Sequence, residues 1–327
     1  MEFRLDEAQT ELQQTVARFC ADRFAFDAIA TRETASVDRR VWIEMAALGM
    51  FGLMLPEAAG GSGLGAIEAA LLFEQLGSHV VPGPVLWTAI TAPLVDGAVD
   101  GSQLVGGVLT DAVTDRSALV EYAADIDVLV VVHDDGIVAH RTSDLAPPDV
   151  LDPLDPLTPV GRFRDLPDGE AIGDAQAATE LRRLGTALSA AMLAGIASRS
   201  LDVARDYAAE REQFGVPIGS FQAVKHMLAD MYVRSTLAQS AAYAAAALLD
   251  DPAGGDPTRA VAGAKLLAAE AALTNAAAAV QVLGGMGFTW DMLPNFLLKR
   301  AWILEQSFGG ADDHAYDIGS LLLTGTP

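Results

Sequence analysis

A chain of 327 residues, 51% hydrophobic and 20% charged, is long enough for two or three packed subdomains and too apolar for extended disorder. Its 21 Lys and Arg against 44 Asp and Glu, a formal charge of −23, repel nucleic-acid backbones and anionic lipid surfaces, although a small anion still binds where a few arginines and helix ends converge. The N-terminus MEFRLDEAQTELQQTV lacks the basic and apolar regions of a signal peptide, and no run reaches the roughly 18 apolar residues that span a bilayer; the expectation is a cytoplasmic, soluble protein with no nucleic-acid or membrane partner.

From Leu5 to about Gly49 apolar residues recur at helical spacing (Leu12, Val16, Phe19, then Trp42, Met45, Leu48). The sole cysteine, Cys20, lies in this stretch, which excludes a disulfide framework and predicts a buried thiol. LPEAAGGSGLG follows as a breaker-rich loop; its GGSGLG lacks the spacing, preceding strand and Lys-Ser/Thr of a phosphate loop and reads as a turn. Ala66–Gly77 reads as a helix. Between Gly101 and Asp174 the pattern changes to short β-branched runs, VLTDAVT, IDVLVVVHDDGIVAHRT and VLDPLDPLTPVGRF, bounded by Asp-Gly and Pro turns. His133 and His140 flank the Asp134–Gly136 turn, where two histidines without further ligands read as surface hairpin residues and not a metal site. The helical period then returns over Thr179–Glu210, Ser220–Leu249, Pro257–Leu283 and Pro294–Ser307, four helices that make a bundle. Ser220 is the predicted N-cap and Gly215 the predicted C′ residue of a corner joining two antiparallel helices.

At that corner REQFG places Arg211, Gln213 and Phe214 together. A guanidinium can grip a phosphate bidentately, an amide offers donor and acceptor, and a phenyl ring offers a face for a purine; alone, an Arg at a helix end equally complements the macrodipole. A second signal lies in QVLGGMGF, where Gln281 precedes Gly284, Gly285 and Gly287, with Phe288 and Trp290 after them. A bare helix stop needs one glycine. REQFG, SFQAVKHMLADM and QVLGGMGF together, with LPEAAGGSGLG before them, resemble the acyl-CoA dehydrogenase family.

The resemblance implies a mainly α fold with a small β domain: an N-terminal helical domain over residues 1–100, a reduced middle β domain over 101–174, and a C-terminal four-helix bundle over 175–327. It implies FAD held across a subunit interface, with Arg211 on the diphosphate, Gln213 and Phe214 on the adenine side, and Gln281, Gly284 and Gly285 on the ADP part of a neighbouring subunit's cofactor. Such enzymes need a carboxylate to take the α-proton of an acyl-CoA thioester. The usual glutamate position falls on Phe308, the alternative position on Gly185, and the substrate-site arginine of many members on Thr186; the family's Thr-Glu-Pro…Gly-Ser-Asp segment has no counterpart.

This half-complete set resembles the short subunit of actinobacterial α2β2 acyl-CoA dehydrogenases of steroid catabolism. The resemblance implies a full-length partner subunit, a bulky polycyclic acyl-CoA substrate and electron-transfer flavoprotein as acceptor. Substitute bases are sought in Asp291 first, then Glu305, Asp312, Asp313 and His314, each of which also reads as a helix cap or surface charge; Lys225 and His226 read as packing or hydrogen-bonding residues. Two alternatives stand beside this reading: a self-sufficient homo-oligomer using Asp291 or Glu305, and a non-catalytic scaffold that retains the fold.

Overall fold

The computed structural model describes residues 5–27, 36–109, 113–114 and 116–324. The chain begins at a reciprocal cap: the Gln9 N–H donates to Asp6 at 2.8 Å and the Asp6 N–H donates to the Gln9 side chain at 3.1 Å, starting helix α1 (Glu7–Arg23). Asp38 caps α2 (Arg39–Ala47) with its side chain alone, accepting from the Arg40 and Val41 N–H groups. Helices α3 (Ala66–Ser78) and α4 (Val85–Thr91) follow, the latter unanticipated by periodicity because a seven-residue helix, buried along most of its length, shows no amphipathic period. Contacts divide the chain into two units, residues 1–31, 66–81 and 186–327 in one and residues 32–65 and 82–185 in the other.

The first unit is helical. It holds α1, α3, the part of α5 (Ala175–Glu210) from Thr186 onward, α6 (Gln222–Asp250), α7 (Pro257–Leu283), α8 (Leu293–Gln306) and α9 (Ala311–Thr324). The predicted bundle helices α5 to α8 thus gain a further one. Alanine supplies much of the core, including Ala190, Ala194, Ala242, Ala246, Ala268 and Ala272; its small side chain lets helix axes approach closely and has the best helix propensity. Closest of all is the α3–α5 crossing. A Cβ on Gly195 would lie 2.0 Å from the Glu74 carbonyl oxygen, and one on Gly77 would lie 2.1 Å from that of Met192. By length and composition α5 and the stretch Pro257–Phe288 would also suffice to cross a membrane, contrary to the expectation from uninterrupted apolar runs; the apolar window of α5 is 78% buried within the protein.

Several buried polar groups in this unit are matched across helices. The Asn275 amide donates to the carbonyls of Ala197 at 3.2 Å and Met231 at 2.9 Å and accepts from Arg234 Nε at 2.9 Å, tying α5, α6 and α7 together. Glu74 accepts from Gln239 at 2.6 Å, from Gln13 at 3.3 Å and from the Tyr243 hydroxyl. Burial raises its carboxyl above the usual range against the pull of those donors. Asp250, the last residue of α6, accepts from the Ala66 and Ile67 N–H groups at 2.7 and 3.1 Å and so caps α3 from across the unit. Cys20 is buried, and desolvation pushes its thiol up to about 12, as a structural thiol requires.

Lys265 is the exception within the apolar α7. It is fully buried, and its ammonium donates to Ser189 Oγ at 2.9 Å and to the carbonyls of Leu304 and Ser307 at 2.6 Å each. Those carbonyls end α8, where unpaired acceptors and the negative end of the helix dipole gather. Desolvation nonetheless pushes its pKa from an ordinary 10.5 down to about 7, with Glu305 pulling the other way.

The second unit carries the sheets. One has the order β1 (Val105–Leu109), β4 (Val128–Val132), β5 (Gly136–Arg141), β8 (Glu170–Asp174), with β1 parallel to β4 and the rest antiparallel. The other is antiparallel, β2 (Val113–Thr114), β3 (Ser117–Glu121), β7 (Val160–Phe163), β6 (Asp149–Leu151). All of VLVVV in β4 is buried, as a strand covered on both faces requires. The Gly60–Gly65 stretch is a tight turn: Gly60 and Gly63 have φ of +81° and +64°, and a Cβ on Gly61 would lie 2.2 Å from the Leu55 carbonyl oxygen.

Gly195→Ala is expected to destabilise the protein by at least about 2 kcal/mol, since two helix backbones must separate to admit one methyl group; an unchanged urea midpoint would refute the close crossing. For Lys265 the folded-state pKa lies below the unfolded one, so the unfolded chain holds the extra proton between about 7 and 10.5. Its stabilising contribution therefore grows with pH across that window and is lost as pH falls through the lower value. Comparing urea midpoints of Lys265→Met and the parent from neutral to alkaline pH should show a slope present only in the parent, up to ~1.4 kcal/mol per pH unit; equal slopes would mean that the folded lysine keeps its proton.

Candidate functional site

Helix α5 ends at Glu210, and Arg211 N–H still donates back to the Tyr207 carbonyl at 2.8 Å. The predicted helix corner is instead a two-residue β-hairpin, β9 (Glu212–Gln213) paired with β10 (Val216–Pro217). Phe214 and Gly215 form its turn with φ of +54° and +81°, the left-handed pair that suits the twist of a tight hairpin. Gly215 is therefore the second turn residue and not a helix C′. Ser220 does not cap α6 either: its hydroxyl donates to the Pro217 carbonyl at 2.7 Å, and Phe221 occupies the N-cap without a side-chain bond.

Ile218 closes the hairpin, its N–H donating to the Arg211 carbonyl at 2.8 Å. Its side chain packs on a buried cluster of Ala204 and Ala208 from α5, Met231 from α6, and Ala279, Val282 and Leu283 from α7. This cluster is what brings the two sequence motifs to one end of the bundle. Helix α7 stops there at Leu283, where Gly284 takes φ of +67° and donates its N–H to the Gln281 carbonyl.

The predicted binding residues are all solvent-facing. Arg211 is exposed and makes no ion pair among the described residues, whereas Arg205, one and a half turns earlier, pairs with both Asp202 and Asp206 at 2.8 Å. Gln281 is exposed on the last turn of α7 with no side-chain hydrogen bond among the described residues, and the Gln213 amide donates to the Glu212 carbonyl at 2.8 Å. Phe214 is 94% exposed and meets only the edge of Phe221, ring centroids 6.3 Å apart.

The three glycines after Gln281 differ in what they require. Gly287 is packed, with a Cβ falling 2.9 Å from the Val280 backbone, and Gly284 needs its positive φ. Gly285 has neither a positive φ nor any neighbour within 4 Å of a Cβ. Nothing in the chain asks for glycine there, as expected where an outside backbone or ligand approaches closely. A free guanidinium, a free amide and an open glycine pair fit the diphosphate end of a nucleotide cofactor.

The acid and base candidates are placed differently. Asp291 is exposed in the turn before α8. Glu305 is half-buried and engaged at the start of α9, accepting from the Ala311 N–H at 3.0 Å and from the Gln306 side chain. Asp313 accepts from the Gly310 N–H at 3.0 Å and is likewise a local cap. Phe308 is buried with φ of +59°, and its carbonyl accepts from Thr186 Oγ1 at 3.4 Å. His314 is buried against Gly309, its Nε2 without a partner among the described residues. Desolvation, then the nearby Lys265, lowers its pKa. Gly185 is buried within α5, and Lys225 and His226 are exposed on α6. Sequence reasoning missed Lys265, the ammonium that holds the chain just before Phe308; its signal was one cation inside the apolar run AVAGAKLLAAEAAL.

His133 is half-buried beside the turn and His140 is buried, so the surface-hairpin reading fails for His140. The turn between them is tight, with His133 N–H donating to the Gly136 carbonyl at 2.8 Å. Strand pairing sets Val131 opposite Val138, so the alternation that puts those two on one face brings His133 and His140 to it as well.

Family models for the acyl-CoA dehydrogenase N-terminal and C-terminal domains match residues 6–97 and 174–318. The chain is 32% identical to acyl-CoA dehydrogenase IpdE2 of Mycobacterium tuberculosis over 90% of this chain and 91% of the relative. It is also 32% identical to acyl-CoA dehydrogenase FadE34 of the same organism over 84% of this chain, but spans only 40% of that relative's length. Among solved structures it is similar to the steroid ACAD Tcur3481–Tcur3483 G363A variant (TM-score 0.84, 26% identity, 98% of both chains). In fold it also matches butyryl-CoA dehydrogenase of Megasphaera elsdenii (TM-score 0.83, 22% identity, 99% of this chain and 100% of that one). The chain belongs to the acyl-CoA dehydrogenase family.

Proposed function

We propose that this chain is one subunit of an FAD-dependent acyl-CoA dehydrogenase that introduces an α,β double bond into a bulky, steroid-derived acyl-CoA. A full-length partner completes the enzyme as an α2β2 heterotetramer. The observation that carries this reading is the exposed set at one end of the bundle: Arg211 and Gln281 without side-chain partners among the described residues, beside the open Gly284–Gly285 pair. The likeness to a steroid ACAD named for two chains supports the heteromeric assembly and the substrate class.

When bound, FAD supplies the hydride acceptor for the β-carbon. The work of this chain lies at the other end of the cofactor. Arg211 pairs with the diphosphate, Phe214 offers its exposed face to the adenine beside Gln213, and Gln281 with the Gly284–Gly285 backbone lines the ADP part. The α-proton goes to a carboxylate of the partner: Phe308 is a hydrocarbon where the resemblance expects the base, and Glu305 is engaged as a helix cap. Electron-transfer flavoprotein would be the electron acceptor of the assembled enzyme.

Expressed alone, the chain should purify without flavin colour; co-expressed with a full-length acyl-CoA dehydrogenase subunit from the same source, it should yield a yellow complex. In that complex Arg211→Ala is expected to weaken FAD retention at least tenfold, about 1.4 kcal/mol or more for one charge-assisted contact. Gly285→Ala should leave the urea midpoint unchanged yet lower flavin occupancy, because its Cβ meets nothing within the chain. Full flavin content and turnover by the chain alone would overturn the proposal, and unchanged occupancy in Arg211→Ala would favour a scaffold role.

A further inference from the structure

The second unit contains a cavity of about 330 Å³ lined by Val113, Arg116, Val131, His133, Val138, His140, and the loop Leu166–Gly169. This size lies at the lower end of small-molecule sites, roughly 300–1,000 Å³. Its walls are apolar, from Val131 and Val138 on the floor to Leu166 and Pro167 in the loop. Among the described residues its polar side chains are two imidazoles and a guanidinium, with one carboxylate, Asp168, at the rim.

His140 is the informative member. It is 7% exposed, and neither its ring nor that of His133 has a hydrogen-bond partner among the described residues. The ring nitrogens of His140 are not among the buried side-chain atoms sealed off without a partner, so they open onto the cavity and can bond whatever enters it. Gly169 keeps that space open, since a Cβ there would lie 2.8 Å from Cε1 and 2.9 Å from Nε2 of the ring. Arg116, held at φ of +57°, reaches over the same cavity; Nε donates to the Leu166 carbonyl at 2.7 Å and Nη2 contacts Asp168 at 3.2 Å. Asp168 is fully solvent-exposed, and an exposed pair of this kind is worth little. The second terminal nitrogen of Arg116 has no such bond among the described residues.

A metal is a poor occupant, because no group of three or more His, Cys, Asp or Glu among the described residues is placed to hold one. A bulky nucleotide exceeds the volume. An anion on a compact hydrocarbon body satisfies every surface: its charge meets Arg116 and the imidazole N–H groups, and its body meets the valines, Leu166 and Pro167. We infer that this pocket binds an organic carboxylate whose apolar body is no larger than a single ring or a short branched chain. Desolvation and His133 both lower the pKa of His140, and a bound anion opposes both effects, so ligand binding should draw a proton onto the ring.

Benzoate is the probe, with its neutral isostere benzamide as control, added to the chain in complex with its full-length partner and labelled at its five histidines. Benzoate should shift the ring signals of His133 and His140, assigned through His133→Gln and His140→Gln, and leave those of exposed His226 in place. Its affinity should exceed that of benzamide at least tenfold. Arg116→Gln, on the exposed rim, should erase that preference while the chain stays folded by circular dichroism, which keeps the test decisive even if substitutions at His140 unfold the unit. Gly169→Ala should weaken benzoate by a similar factor. Unmoved His133 and His140 signals at millimolar benzoate would overturn the inference, as would equal binding of benzamide, which would mark an apolar cavity only. Neither outcome depends on flavin content, so failure here is distinguishable from failure of the enzymatic reading.

Discussion

The structure of the candidate site depends on one apolar cluster. Ala204 and Ala208 at the end of α5, Met231 on α6, and Ala279, Val282 and Leu283 at the end of α7 exclude water from the point where three helices converge. Because Ile218 packs on that cluster, the hairpin is anchored by its base while its tip projects. Because Leu283 is buried in it, α7 must stop there, and the glycines that follow are presented outward. The hairpin that carries Arg211 and the helix end that carries Gln281 are thus held at one cluster by residues that have no chemistry of their own.

What surrounds Phe308 follows a different logic. A phenyl ring buried with a left-handed backbone is strained. The surrounding turn is over-determined by Lys265 on the Leu304 and Ser307 carbonyls and by Thr186 on that of Phe308. Glu305, one turn earlier, is committed to the next helix. The segment around Phe308, where the resemblance expects the base, is fastened by hydrogen bonds to its carbonyls and filled with hydrocarbon. That segment contrasts with the exposed, unpaired Arg211 and Gln281 at the hairpin and the α7 terminus, and the proposal of a cofactor-holding role for this chain rests on the contrast.

Several features were legible in the amino-acid order because their causes are local. Asp6 with Gln9 starts a helix, alternating valines across an Asp-Gly turn make a strand pair, and Pro257 opens α7 where the apolar period resumes. The REQFG and QVLGGMGF motifs were legible for another reason, since each joins a chemistry-bearing side chain to a backbone-permitting glycine. The short α4 was not, and neither was α9. The corner at 211–220 was misread because a helix-ending glycine and the second residue of a tight hairpin turn have the same composition. Only the backbone dihedrals of Phe214 and Gly215 distinguish them.

Burial is what the chain order could not express. Nothing near His140 in sequence announces that Gly169 will lie against its ring, and nothing near Lys265 announces three oxygen acceptors from α5 and the end of α8. The sequence by itself determined the long bundle helices, the extended middle region, the strongly acidic character, and the pair of motifs that point to a nucleotide cofactor. Tertiary structure alone decided which polar groups are consumed inside the protein and which remain free to bind. Hydrogen bonds between distant residues form only after the apolar clusters have brought their helices and strands together.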